Sequence, residues 1–184
     1  MKILCVIDMQ GDFINGTLGS KEAVSIVPNV VKKINEYKER GDLIITTQDT
    51  HYDDYLETFE GKKLPIKHCI ANTDGWQIHN DIWNTLKNYN NTLNILKTTF
   101  GSAKLEQYLK NIIPVERNSQ MNIEIEFVGL CLDICVLCNA IVLRTDFPNA
   151  YMCVDAKCTA ATSLDNFKAA TTVLESCQIE VLNK

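Results

Sequence analysis

Ile123-Glu124-Ile125-Glu126-Phe127-Val128-Gly129-Leu130-Cys131-Leu132-Asp133-Ile134-Cys135-Val136 is the stretch whose reading decides the fold. Ile123, Ile125 and Phe127 alternate with Glu124 and Glu126, the period of a β-strand, and Gly129 breaks the pattern just after Val128. Asp133 then has the chemistry of a helix N-cap, so the chain passes from buried strand to helix within a few residues. A helix starting there carries Cys135 in its first turn, where unpaired backbone N–H groups and the positive end of the helix dipole favour a thiolate. The competing reading is a small buried hydrophobe, the usual fate of a free cysteine. The rest of the chain decides between them.

Working outward in both directions, strand and helix patterns alternate without a linker, repeat or low-complexity tract. Strands are predicted over 3–7, 43–47, 93–96, 123–128, 151–154 and 179–182. A helix beginning near Pro28 carries Val30, Val31, Ile34 and Tyr37 and stops at Gly41. Others run through Ile78, Ile82 and Leu86, from a Ser102 cap through Leu105 and Leu109, from Asp133 to about Arg144, and from a Ser163 cap through Phe167, Ala170 and Leu174. Such alternation predicts one α/β domain over 1–184 on a mainly parallel sheet. Met9 to Phe13 reads as a loop. Residues 52–75 form a long polar segment containing Pro65, and a structureless stretch of that length in a compact domain is usually functional.

Composition closes off several function classes. With 46% hydrophobic and 22% charged residues the chain is neither disordered nor membrane-spanning. A net charge of −5 and the lack of a basic patch speak against nucleic acid as a partner. The N-terminal run ends in Asp8 and lacks the features of an export signal, so the protein is predicted to be cytoplasmic, with its eight cysteines reduced. Cys135 and Cys138 form a Cys-x-x-Cys pair after a strand, which keeps a dithiol–disulfide oxidoreductase as a second functional class. A small molecule is the expected partner, with neither membrane nor nucleic acid, and a homo-oligomer is left open.

In parallel sheets ligands bind outside the carboxyl ends of the strands, and polar residues gather there in this chain. Asp8 ends the first strand, Asp49 follows the second, Lys97 ends the third and Cys135 follows the fourth. Singly these are turn formers or a snorkelling lysine; jointly they make a chemical set. A thiol with an ordinary pKa of about 8.5 needs a base, which Asp8 can be, and an ammonium at Lys97 would favour both anions. Asp49-x-His51 and the distant His68 add one carboxylate and two imidazoles, a donor set for zinc, iron or manganese, with Glu60 or Glu57 as a further carboxylate.

With those residues in place, the chain resembles the nicotinamidase branch of the isochorismatase-like cysteine hydrolases along nearly its whole length. The matching motifs are Asp8-Met9-Gln10-Gly11-Asp12-Phe13, Thr47-Gln48-Asp49-Thr50-His51, Pro65-Ile66-Lys67-His68-Cys69 with Thr73-Asp74-Gly75, Lys97-Thr98-Thr99-Phe100, and Gly129 to Val136. The resemblance implies a three-layer α/β/α sandwich on a six-stranded parallel sheet of order 3-2-1-4-5-6. It implies a catalytic Asp8, Lys97 and Cys135 and a divalent metal, zinc above manganese or iron, on Asp49, His51 and His68, with Glu60 taking the extra ligand position. It also implies a cis peptide between Leu130 and Cys131 that turns the Cys131 and Cys135 N–H groups into an oxyanion hole. Hydrolysis of a small aromatic amide, nicotinamide first, is the implied activity, with another amide or carbamoyl substrate as the alternative. Phe13 matches one wall of the ring pocket. Where many nicotinamidases carry a tryptophan as the other wall this chain has Leu64, so Trp76 or a tyrosine is the expected substitute.

Overall fold

The computed structural model describes residues 1–114 and 116–184. Six strands form one all-parallel sheet: β1 (Lys2–Ile7), β2 (Leu43–Asp49), β3 (Thr92–Lys97), β4 (Glu124–Leu130), β5 (Tyr151–Ala160) and β6 (Glu180–Leu182). Their spatial order is β3-β2-β1-β4-β5-β6, as the resemblance implied. Chain order reverses between β1 and β4, where Ile3 pairs with Ile125 and Ile7 with Gly129.

An uninterrupted apolar strand is explained by two covered faces. Ile3, Cys5 and Ile7 of β1 enter one core with Phe127, Leu105, Leu109, Val136 and Leu174. Leu4 and Val6 enter the other with Val27, Val30, Ile34 and Ile82. The first core lies under α5 (Ala103–Ile112), α7 (Leu137–Asp146) and α8 (Leu164–Ser176). The second lies under α2 (Lys21–Arg40) and α4 (Asn80–Leu86). Short helices α1 (Gly11–Ile14), α3 (Phe59–Lys63) and α6 (Arg117–Gln120) fill connections.

Several boundaries differ from the sequence expectation, each for a physical reason. Helix α2 starts at Lys21, not near Pro28: the Ser20 hydroxyl accepts from the Ala23 N–H, and Pro28 sits inside the helix. The N–H missing from Pro28 would have bonded the carbonyl of Val24, an exposed residue whose carbonyl can turn to water. Gly41 ends the helix at φ 75°, the left-handed cap expected of glycine. Residues 9–13 are not all loop, since α1 opens at Gly11. The 52–75 segment is not structureless either, holding a 3-10 turn at Tyr55–Glu57 and α3, whose cap is Thr58.

The opening stretch departs most. Residues Leu132–Val136 form a π-helical turn, with the Val136 N–H reaching the Cys131 carbonyl at 3.1 Å. Asp133 does not cap it; its carboxylate accepts instead from the Thr162 N–H at 3.0 Å and from the Thr162 hydroxyl, tying the turn to the loop before α8. Glu126 is buried, although its alternation with apolar residues has the form of a water-facing side. Gly129 is required by packing: at φ +112° any Cβ would come within 2.1 Å of the Ile7 carbonyl. That close approach brings the end of β4 against the end of β1, and the Leu130–Cys131 peptide that follows is cis.

Candidate active site

Asp8, Lys97 and Cys135 meet at the carboxyl end of the sheet. Asp8 is completely buried, in the left-handed region at φ 46°. Its Oδ1 accepts from the Thr47 hydroxyl at 2.7 Å, and its Oδ2 lies 2.6 Å from Lys97 Nζ. The Lys97 ammonium is thus the charged partner of Asp8 Oδ2. Lys97 Nζ also reaches Asp49 Oδ1 at 3.2 Å and Cys135 Sγ at 3.6 Å. One ammonium therefore joins two carboxylates and a thiol with almost no water present.

Burial governs the ionisation of this group. Desolvation raises the Asp8 carboxyl, Lys97 pulls it down, and the nearby charge of Asp49 pushes it up again, leaving it above the ordinary range. Lys97 is held protonated: burial opposes its charge, but Asp8, Cys135 and Asp49 together outweigh burial. Cys135 is pushed well above an ordinary thiol, by burial first and by Asp8 second, against the pull of Lys97. The thiolate expected at a helix end meets an opposing environment here, in which desolvation beside an acid disfavours the charged sulfur more than the lysine favours it.

Beside this group stand Asp49, His51 and His68, all buried, with ligand atoms within 4.8 Å of one another. His68 Nδ1 donates to the Ile66 carbonyl at 2.8 Å, which leaves the Nε2 lone pair aimed at Asp49. His51 Nε2 lies 2.9 Å from Asp49 Oδ2 without hydrogen-bond geometry and is a buried nitrogen with no partner. An orphaned imidazole nitrogen facing a second imidazole and a carboxylate fits a divalent cation. Glu60 Oε1 stands 3.6 Å from His51 and 3.8 Å from His68, on the more open side of the cluster. Glu57 is exposed and, among the described residues, makes no ion pair with the cluster. Of the two glutamates, Glu60 is the one that stands beside the cluster. Tyr55 backs both imidazoles, with ring centroids 4.6 Å from His51 and 5.0 Å from His68.

A cavity of about 900 Å³ opens over both groups, bordered by Phe13, Asp49, Glu60, Leu64, His68 and Cys135. Phe13 is a wall, its ring centroid 5.5 Å from that of His68. The expectation that Trp76 or a tyrosine replaces the missing tryptophan fails: among the described residues none of these borders the cavity. Trp76 is held elsewhere, its indole N–H on the Thr50 hydroxyl at 3.0 Å, and Tyr55 is used up behind the histidines.

Sequence reasoning passed over two supporting side chains. Gln10 clasps the backbone of Asp49 from both sides, its Nε2 donating to the Asp49 carbonyl at 2.8 Å and its Oε1 accepting from the Asp49 N–H at 2.7 Å. Asp12 accepts from the Cys69 N–H at 2.7 Å and so fixes the loop next to His68. Both lie in the Asp8 to Phe13 motif, the one signal that could have found them.

This fold is an α/β sandwich whose parallel sheet gathers a buried cysteine, aspartate and lysine at its carboxyl end. The chain belongs to the isochorismatase family, whose profile, described as Isochorismatase domain, matches residues 2–184. No curated protein matches the sequence. Among solved structures it is similar to the nicotinamidase PncA from Bacillus subtilis, at 24% identity over 98% of both chains with a TM-score of 0.80. A pyrazinamidase of Pyrococcus horikoshii in complex with zinc is similar at 20% identity and a TM-score of 0.80, over 100% of this chain and 99% of its own. An N-carbamoylsarcosine amidase from Thermoplasma acidophilum is similar at 21% identity and a TM-score of 0.76, over 98% of this chain and 94% of its own. Within this family, a hydrolase is the class of enzyme with which the fold and the site agree.

Proposed function

We propose that the protein is a nicotinamidase-type amidase, converting nicotinamide to nicotinate and ammonia through a thioester on Cys135. The observation that carries this reading is the shared ammonium: Lys97 Nζ touches Asp8, Asp49 and Cys135 at once, coupling the thiol to a base on one side and to the metal-type cluster on the other. Asp8, paired with the Lys97 ammonium and beside the thiol, takes the thiol proton as sulfur attacks the amide carbon. The protonated Lys97 offsets the charge developing on sulfur. The oxyanion is received by the N–H groups of Cys131 and Cys135, in the turn that follows the cis peptide. Asp8 returns its proton to the amine as the C–N bond breaks and ammonia leaves. Asp8 then deprotonates a water that attacks the thioester, breaking the C–S bond and restoring the thiol.

Asp49, His51 and His68, with Glu60 at the open side, would hold a divalent ion, and two imidazoles with carboxylates suit zinc ahead of manganese or iron. Bound there, the ion would supply a Lewis-acid anchor for a pyridine nitrogen, which orients the ring rather than activating water. A second reading within the family, another amide or carbamoyl hydrolase, is favoured by one observation: Leu64 borders the cavity, and neither tryptophan does.

The test is ammonia release from nicotinamide by the wild type, by Cys135→Ala and by chelator-treated protein. Expected are a loss of at least about 10³-fold in the variant and a loss on chelation reversed by added zinc. Undiminished release by Cys135→Ala would overturn the mechanism. Release insensitive to chelator would move the substrate to the second reading.

A further inference from the structure

The cavity is much larger than the substrate just proposed. Pockets of roughly 300–1,000 Å³ hold drug-sized molecules, whereas nicotinamide is a single ring with a carboxamide, and this cavity measures about 900 Å³. Part of the cavity, called the lobe below, is bordered by residues at the start of α2 and by the end of β5 and the segment that joins it to α8. Leu18, Ile26, Ala156, Ala160, Leu164 and Phe167 border it. Leu164 is 71% exposed and Phe100, also on the rim, 45% exposed, so large apolar groups ring the mouth in water.

Most polar side chains along the same lobe already hold at least one bond within the protein. The Ser20 hydroxyl caps α2 at the Ala23 N–H, and the Ser163 hydroxyl caps α8 at the Asn166 N–H. Ser25 donates to the Glu22 carbonyl at 2.7 Å, Asn29 donates to the Lys157 carbonyl at 2.8 Å, and Thr162 is held by Asp133. Between these groups the walls are apolar, with Glu22, Lys157, Thr159 and the Ser20 and Ser163 O–H groups as the polar groups left in the lining. Leu64 in place of an aromatic wall gives the ring end an aliphatic side as well.

We infer that this lobe is a substrate subsite, and that the enzyme acts best on an aromatic carboxamide bearing an apolar arm that extends from the ring past Ile26 and Phe167. The inference rests on the amidase reading above and names its substrate class. Its physical content is that burying the arm against these side chains contributes roughly 25 cal/mol per Å² of apolar area, which an unsubstituted ring forgoes.

Ammonia release is measured for nicotinamide and for its 4-, 5- and 6-butyl derivatives, on the wild type, on Ala156→Phe, which narrows the lobe, and on Leu164→Asp, a rim position whose side chain is exposed and outside the core. Expected is at least one butyl derivative preferred over nicotinamide by tenfold or more in kcat/KM, with that preference ratio falling at least tenfold in both variants. Hydrolysis of nicotinamide with every butyl derivative poorer would overturn the subsite and leave the amidase standing. A preference that survives both variants would also overturn it, because the arm would then bind elsewhere. Release from none of the four amides would sink the amidase reading and the subsite with it.

Discussion

Two lysines in this molecule are each held between two carboxylates, and the two sites behave in opposite ways. Lys97 lies 2.6 Å from Asp8 and 3.2 Å from Asp49. Lys33 lies 2.7 Å from Glu126 and 2.9 Å from Asp155, fastening α2 to β4 and β5, with the Tyr37 hydroxyl donating to Glu126 at 2.7 Å. At Asp155 the lysine wins over burial and the carboxyl falls below its ordinary value. At Asp8 burial wins over the lysine and the carboxyl rises. The contrast lies at Asp8 itself, since Asp49 on the same ammonium falls as Asp155 does: the Asp8 side chain is wholly buried beside a second carboxylate, whereas Asp155 also accepts the Lys157 N–H. The Lys33 group makes a staple, and the Lys97 group, with a second carboxylate and a thiol sharing the same ammonium, leaves a carboxylate whose proton affinity suits a base.

The comparison is broken most severely at Asp8. Asp8→Asn keeps the shape but removes the base, and kcat should fall by about 10²–10⁴-fold with the fold retained by circular dichroism. Next comes the contrast between the lysines. Lys97→Met should cost about 10²–10³-fold in kcat/KM, while Lys33→Met should leave kcat/KM within about threefold of wild type. Equal losses in the two would remove the distinction drawn here. Lys33→Met should instead lower stability by about 1–2 kcal/mol in urea unfolding, a figure kept small because Lys33 retains some water.

The two sites also predict different pH behaviour. Asp8 must be ionised to accept the thiol proton, and its raised value means that activity is lost as pH falls through a point above the ordinary aspartate value of about 3.9. A pH profile of kcat/KM whose acid limb lies below pH 4 would contradict this. Asp155 is depressed in the folded protein, so its contribution to stability is present above about pH 3.9 and is lost as pH falls through the lower folded value. Lys33 is raised, so its contribution is full below about pH 10.4 and is lost as pH rises through the higher folded value. The stability gap between wild type and Lys33→Met should therefore be widest between about pH 4 and pH 10 and close on either side. The smallest effect is expected at Cys138→Ser, within about threefold of wild type in ammonia release; abolished activity there would revive the dithiol oxidoreductase.

How far the sequence could be read follows the same division. The strands and the meeting of Asp8, Asp49, Lys97 and Cys135 were legible because apolar runs and the polar residues that end them are local features, and parallel topology gathers strand ends by itself. The Lys33 staple was not legible. Glu126 has the alternation of a water-facing residue, and its burial depends on Lys33 and Tyr37 arriving from a distant helix. Asp133 failed as a cap for a related reason, since Thr162, 29 residues away, takes its carboxylate. Pro28 was misread because helix starts favour proline, while an exposed carbonyl four residues earlier lets the helix tolerate it. The resting state of Cys135 was beyond a local reading too, because helix-end position is visible in sequence and desolvation is not.

The central claim, that Cys135 forms an acyl bond driven by Asp8 and Lys97, is tested most directly by acid-quenching the enzyme during turnover of nicotinamide and measuring its intact mass. A mass increase equal to the nicotinoyl group, located on the peptide carrying Cys135 and absent in Cys135→Ala, is the predicted result. Steady-state and single-turnover quenches with ammonia released but no acyl adduct on any cysteine would contradict it.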